Sequence, residues 1–141
     1  MKKLLVLVIL VCTSTLMFAQ TTVNLNAFQM GVWSDTKLVW VWDNVKAIDL
    51  VLTVNKTTVS LNNQGQTELT IGASQGETKG VADDGTTYRT NKWTCIDQKY
   101  RRCTFAITIY SDGLSMYTII YDDLIFRYIK GSARNSKYFN D

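Results

Sequence analysis

Apolar residues in this chain recur at every second position, and that period suits a pleated strand with one buried face far better than a helix. Ile48, Leu50, Leu52 and Val54 share one parity, with Asp49 and Thr53 on the other. Val59 and Leu61 alternate with Thr58 and Ser60, and Leu69 and Ile71 with Glu68 and Thr70. Cys103, Phe105, Ile107 and Ile109 alternate with Thr104, Ala106 and Thr108. These runs are rich in β-branched and aromatic residues, which fit a half-buried pleated surface. The chain has no proline to interrupt them.

Between the runs stand Asn55-Lys56, Asn62-Asn63-Gln64-Gly65, Ser111-Asp112-Gly113 and Asp122-Asp123, residue types that accept tight turns. Connections this short join antiparallel neighbours, because a parallel crossover needs a dozen or more residues. The expected strands lie near 36–43, 47–54, 57–61, 66–72, 86–96, 103–110, 114–121 and 124–130. The fold class is therefore all-β: a single antiparallel meander of about eight strands, closing into a small barrel or a two-sheet sandwich. Residues 73–86, polar and with three glycines, are expected to be the one long mobile loop.

Lys2 and Lys3 precede an unbroken apolar run from Leu4 to Val11, and Phe18-Ala19-Gln20 offers a small residue at a cut site. That is the pattern of a secretory signal, and the run is too short to span a bilayer. The expected organisation is a signal peptide over 1–19, an all-β domain over 20–130 and a polar tail over 131–141, in an exported protein that is periplasmic or secreted. Lipid anchoring at Cys12 is the rival; Val11 is bulky where that processing wants a small residue, and membrane attachment is expected only by that route. Removing Lys2 and Lys3 takes the charge from 15 Lys+Arg against 12 Asp+Glu to 13 against 12, a net of +1. Such a surface has no global field to steer it toward nucleic acid or anionic membrane.

Cys95 and Cys103 remain after cleavage. In an oxidising compartment they are expected to form a disulfide at the base of a hairpin, worth about 2.5 kcal/mol on the chain-entropy model. A metal site is not expected, since zinc wants about four N or S ligands and the chain has no histidine.

Some strands are apolar on both faces. Leu38, Trp40 and Trp42 oppose Val39 and Val41, and the runs 114–121 and 124–129 behave likewise. Such strands are covered twice, line a cavity or expose a sticky patch. Trp40, Trp42, Tyr117, Tyr121, Phe126 and Tyr128 are accordingly the candidate lining of a pocket for a small apolar or sugar-like ligand; the alternative is that these rings complete the core. Gly31-Val32-Trp33 resembles the Gly-x-Trp start of lipocalin-type barrels, and the resemblance implies a calycin-like topology. In that family an arginine late in the barrel packs over the tryptophan, and Arg127 holds the matching place. The resemblance covers four residues.

Catalytic equipment is sparse. Without histidine the chain lacks the usual proton shuttle at neutral pH, and neither a Gly-x-Ser-x-Gly elbow nor a phosphate loop occurs. Asp83-Asp84 and Asp122-Asp123 are adjacent in sequence, so within a strand they point apart instead of facing one another as a glycosidase pair must. No cofactor is implied. Lys99, Tyr100, Arg101 and Arg102 make a basic, aromatic hairpin tip. The expected function is a non-enzymatic exported β domain binding a small ligand or a protein partner. The alternatives are a self-associating structural or envelope module and, last, a carboxylate-based hydrolase.

Overall fold

The computed structural model describes residues 20–62 and 67–131. Residues 1–19, the expected signal segment with Cys12, residues 63–66 and the expected tail from residue 132 onward lie outside the described residues. The described part is built of nine strands, β1 (Thr21–Ser34), β2 (Val39–Trp42), β3 (Lys46–Val54), β4 (Thr58–Asn62), β5 (Thr67–Val81), β6 (Thr87–Asp97), β7 (Arg102–Tyr110), β8 (Ser115–Ile120) and β9 (Leu124–Lys130). No helix occurs among the described residues.

All nine strands belong to one antiparallel sheet. From β3 onward each pairs with the next in sequence, and β9 returns to pair with β1 from Ala27↔Ile129 to Val32↔Leu124. The hydrogen bonding is thus ring-like. β1 meets β3 along its first half, Thr21↔Val54 to Phe28↔Lys46, and β2 along its second, Gly31↔Trp42 to Ser34↔Val39. β2 and β3 therefore follow one another along the same edge of β1, with residues 43–45 between them. The Gln29 side-chain amide donates to the Asp43 carbonyl at 2.9 Å and ties that interruption down.

Seven of the nine strands overlap the expected segments closely; two regions do not. β1 was not expected at all. An irregularity in its pairing between Leu25 and Ala27 transfers the core-facing parity from Val23 and Leu25 to Phe28, so the alternation breaks midway. The expected loop at 73–86 is also corrected. β5 continues to Val81, paired with β6 down to Val81↔Thr87, and only residues 82–86 make the turn. Both faces of this ribbon are largely exposed beyond Ile71, so no apolar period marks it.

One core fills the ring. Val23 and Leu25 of β1, Leu52 of β3, Val59 and Leu61 of β4, Leu69 of β5, Phe105 of β7 and Ile119 of β8 are all buried in a single cluster. At about 25 cal/mol per Å² of apolar surface removed from water, this cluster is the main stabilising term of the fold.

Three turns project from one end of the sheet: 35–38 between β1 and β2, 98–101 between β6 and β7, and 121–123 between β8 and β9. The backbone N–H of Trp33 donates to the Asp123 carbonyl at 2.9 Å, and the Tyr121 hydroxyl donates to Asp97 at 2.8 Å, which draws the three together. Two of them carry a non-glycine residue in the left-handed region, Leu38 at φ 54° and Tyr100 at φ 62°. For an L-residue that conformation costs about 1 kcal/mol, whereas glycine adopts it freely.

Candidate functional site

The register decides what the alternation left open. Gly31 opposes Trp42, and Trp33 opposes Trp40, so the three tryptophans share one face of the β1–β2 hairpin. β9 adds Arg127, which pairs with Gln29 on the same face. That face is the outer one, turned away from the core cluster. The Trp33 and Trp40 rings meet edge-on with centroids 5.4 Å apart, and Trp40 and Trp42 lie tilted at 6.4 Å. The guanidinium carbon of Arg127 stands 3.5 Å from the centroid of the Trp42 ring, a cation–π stack.

Gly31 is what lets Trp42 lie flat. A Cβ at residue 31 would come within 2.7 Å of the Trp42 ring. The same device recurs across the sheet, where Gly80 opposes Tyr88 and a Cβ at residue 80 would meet that ring at 2.4 Å. Tyr88 in turn packs on Tyr110 at 5.5 Å.

Between these two aromatic groups runs a groove of about 280 Å³, floored by Thr90, Ala106, Thr108 and Thr118 and walled by Lys92 and Arg127. The Thr90 and Thr108 hydroxyls, both buried, hydrogen-bond at 2.9 Å. A second cleft of about 490 Å³ adjoins it at Ile120 and reaches Thr70, Thr94, Thr104 and Arg102, with Cys95, Cys103 and Tyr121 also in its lining. The same strands thus present a packed face inward and a grooved face outward.

The six residues expected to line one pocket divide between these faces. Trp40 and Trp42 lie outside. Tyr117 and Tyr128 are buried in the core, and Tyr121 and Phe126 pack against it. Burial pushes the Tyr128 hydroxyl up to about 12. Phe28 stacks against Phe126 at 6.2 Å and packs tilted against Tyr128 at 5.1 Å. The arginine singled out by the lipocalin resemblance, Arg127, stacks on Trp42. Sequence reasoning missed Tyr88, Tyr110 and the threonine floor. The outer parity of Thr104, Ala106 and Thr108 was legible, but not that other strands would flank it with aromatic rings.

The expected disulfide is not formed: Cys95 and Cys103 are free, buried thiols. They do stand directly opposite one another on β6 and β7. Burial raises both, and Cys103 is pushed up to about 11 by burial, then by Cys95 and by the nearby Asp97 charge. Protonated thiols are the unreactive form, and both lie within the core cluster.

Above them the 98–101 turn closes on Asp97. Its carboxylate accepts from the backbone N–H groups of Lys99 and Arg101 at 2.9 Å each, from the Arg101 Nε at 3.0 Å and from the Tyr121 hydroxyl. Burial works against this charge, but those donors outweigh it and hold the Asp97 pKa below the ordinary carboxylate value. Burial first, then the hydrogen bond to Asp97, raises Tyr121. The cluster makes a turn: one Asp97 oxygen holds the backbone and the other holds the Arg101 and Tyr121 side chains. Asp84 does similar work, accepting from the Thr86 N–H at 3.0 Å.

Comparison with protein families, curated proteins and solved structures found no match. The lipocalin resemblance stays at the four residues that suggested it.

Proposed function

We propose that this chain is an exported, non-enzymatic β domain that binds a sugar-like ligand on the outer face of its sheet. The observation that carries the reading is the Trp33–Trp40–Trp42 row beside Arg127 and a threonine-floored groove. Flat rings stack on the apolar faces of pyranose units, while hydroxyls and cationic donors meet their oxygens. The signal-like start supports export, and the poverty of general acid–base groups supports binding without turnover. A pocket inside the ring is not proposed, because Phe28, Phe105 and their neighbours occupy that volume.

The test is tryptophan emission during titration with α- and β-linked gluco-oligosaccharides. Binding should quench or shift the emission, and Trp40→Ala should weaken affinity about tenfold, in line with the loss of one stacked ring. Trp40 is partly buried but lies outside the core cluster, so the variant should keep its fold. No emission change with any oligosaccharide, in a protein that remains folded, overturns the sugar reading.

Self-association is a second reading, favoured by one observation. The outer edge of β2 has no partner strand among the described residues, and such an edge is a template for another strand.

A further inference from the structure

Eight large apolar side chains stand exposed in the described chain, and six of them gather at one end: Val32, Leu38, Val39, Val41, Ile96 and Tyr100. The most exposed two, Tyr100 at 89% and Leu38 at 70%, are also the two non-glycine residues held in left-handed backbone. Each is therefore unfavourable twice over. Glycine or asparagine would form either turn with less strain and expose no apolar surface to water. Neither side chain serves the core, which lies well inside the sheet.

The shape and chemistry of this end narrow the partner. Leu38 and Tyr100 sit on separate hairpin tips, β1–β2 and β6–β7, and not on one strand face. A stable protein interface needs about 800 Å² per partner of matched surface, which two points do not supply. A lipid surface has no shape to match. Aliphatic side chains enter its acyl boundary, while tyrosine settles at headgroup level. Lys37, Lys99 and Arg102 flank the tips and suit headgroup phosphates. Arg101 is engaged by Asp97, and Asp35, Asp122 and Asp123 sit at the same end, so the local charge is nearly balanced. Insertion of apolar side chains, not attraction to net negative charge, would dominate.

We infer that this end of the molecule docks on a phospholipid bilayer by inserting Leu38 and Tyr100. The docking is independent of the tryptophan face, because Val32, Val39 and Val41 have the opposite parity to Trp33, Trp40 and Trp42. The overall charge argued against attraction to anionic membrane; the distribution of exposed apolar side chains opens a different route.

The experiment is co-sedimentation of the purified exported protein with vesicles of phosphatidylcholine alone and of phosphatidylcholine mixed with phosphatidylglycerol. The protein should partition onto both, with a component that survives high salt. Leu38→Asn and Tyr100→Asn keep a residue that tolerates the left-handed conformation, so each variant should melt at or above the parent temperature. Each should lose about tenfold in partitioning, as expected when a large apolar side chain no longer leaves water. Three results would overturn the inference: no partitioning of the parent protein, undiminished partitioning of the double variant, or binding to anionic vesicles alone that salt abolishes. The first would reassign the tips to a protein partner.

Discussion

The two faces of β7, β8 and β9 both carry buried residues yet meet different fates. Inward, Phe105, Tyr117, Ile119 and Tyr128 interlock with side chains from β1, β3, β4 and β5, and the space closes. Outward, Ala106, Thr108 and Thr118 are just as buried, but a groove runs over them between Arg127 and Tyr88. Large residues make the inner face; small residues between large ones make the outer one. Being apolar on both sides therefore does not announce a cavity inside the ring. The concave surface arises where short side chains lie between tall ones, and that depends on which strands become neighbours.

The sharpest way to break this contrast is to truncate one side chain from the core. Phe105 is only 1% exposed, and Phe105→Ala should lower stability by about 3–5 kcal/mol in urea unfolding. A loss no larger than that of Trp40→Ala would mean that the inner face is not the core. A smaller effect is expected from Gly31→Ala on the outer face. The new methyl must displace the Trp42 ring and with it Arg127, at about 1–3 kcal/mol, the usual penalty of overpacking. Tryptophan emission should shift in the same variant. Unchanged emission would show that Trp42 does not lie on Gly31.

The smallest effect belongs to the turn above the thiols. Asp97→Asn keeps one acceptor oxygen, so about 1 kcal/mol should go at neutral pH. The pH dependence is the better signature. Because the folded carboxylate titrates below its unfolded value of about 3.9, its contribution is complete above that pH and is lost as the pH falls through the lower, folded pKa. The parent should show this acid-side loss and the variant should not. Parallel acid profiles would mean that Asp97 contributes no charge-dependent stability.

Much of the fold was legible because burial on one face imposes a period of two. Leu50, Leu52, Val59, Leu61 and Leu69 declared themselves in this way, and Asn55, Asp112 and Asp123 marked turns between their strands. β1 and the end of β5 were not legible, for opposite physical reasons. In β1 the pairing irregularity after Leu25 switches the core-facing parity. In β5 beyond Ile71 neither face is buried, so hydrogen bonding to β6 makes a strand that hydrophobicity does not mark. Of the candidate site, Trp40 and Trp42 were identified, but they were grouped with Tyr117 and Tyr128, which parity within separate strands could not divide. Cys95 and Cys103 were matched as opposed residues; packing, not a covalent bridge, is what the structure shows between them.

By itself the sequence determined the class of structure, the antiparallel order of most strands and the lack of histidine, because alternation, short turns and missing residue types are local properties of the chain. Only the tertiary structure decided that β9 returns to β1, that Gly31 lies beneath Trp42, that the groove is outside the ring and that Leu38 and Tyr100 share an end. Those facts depend on which distant strands pair and in what register, and no single strand carries that information.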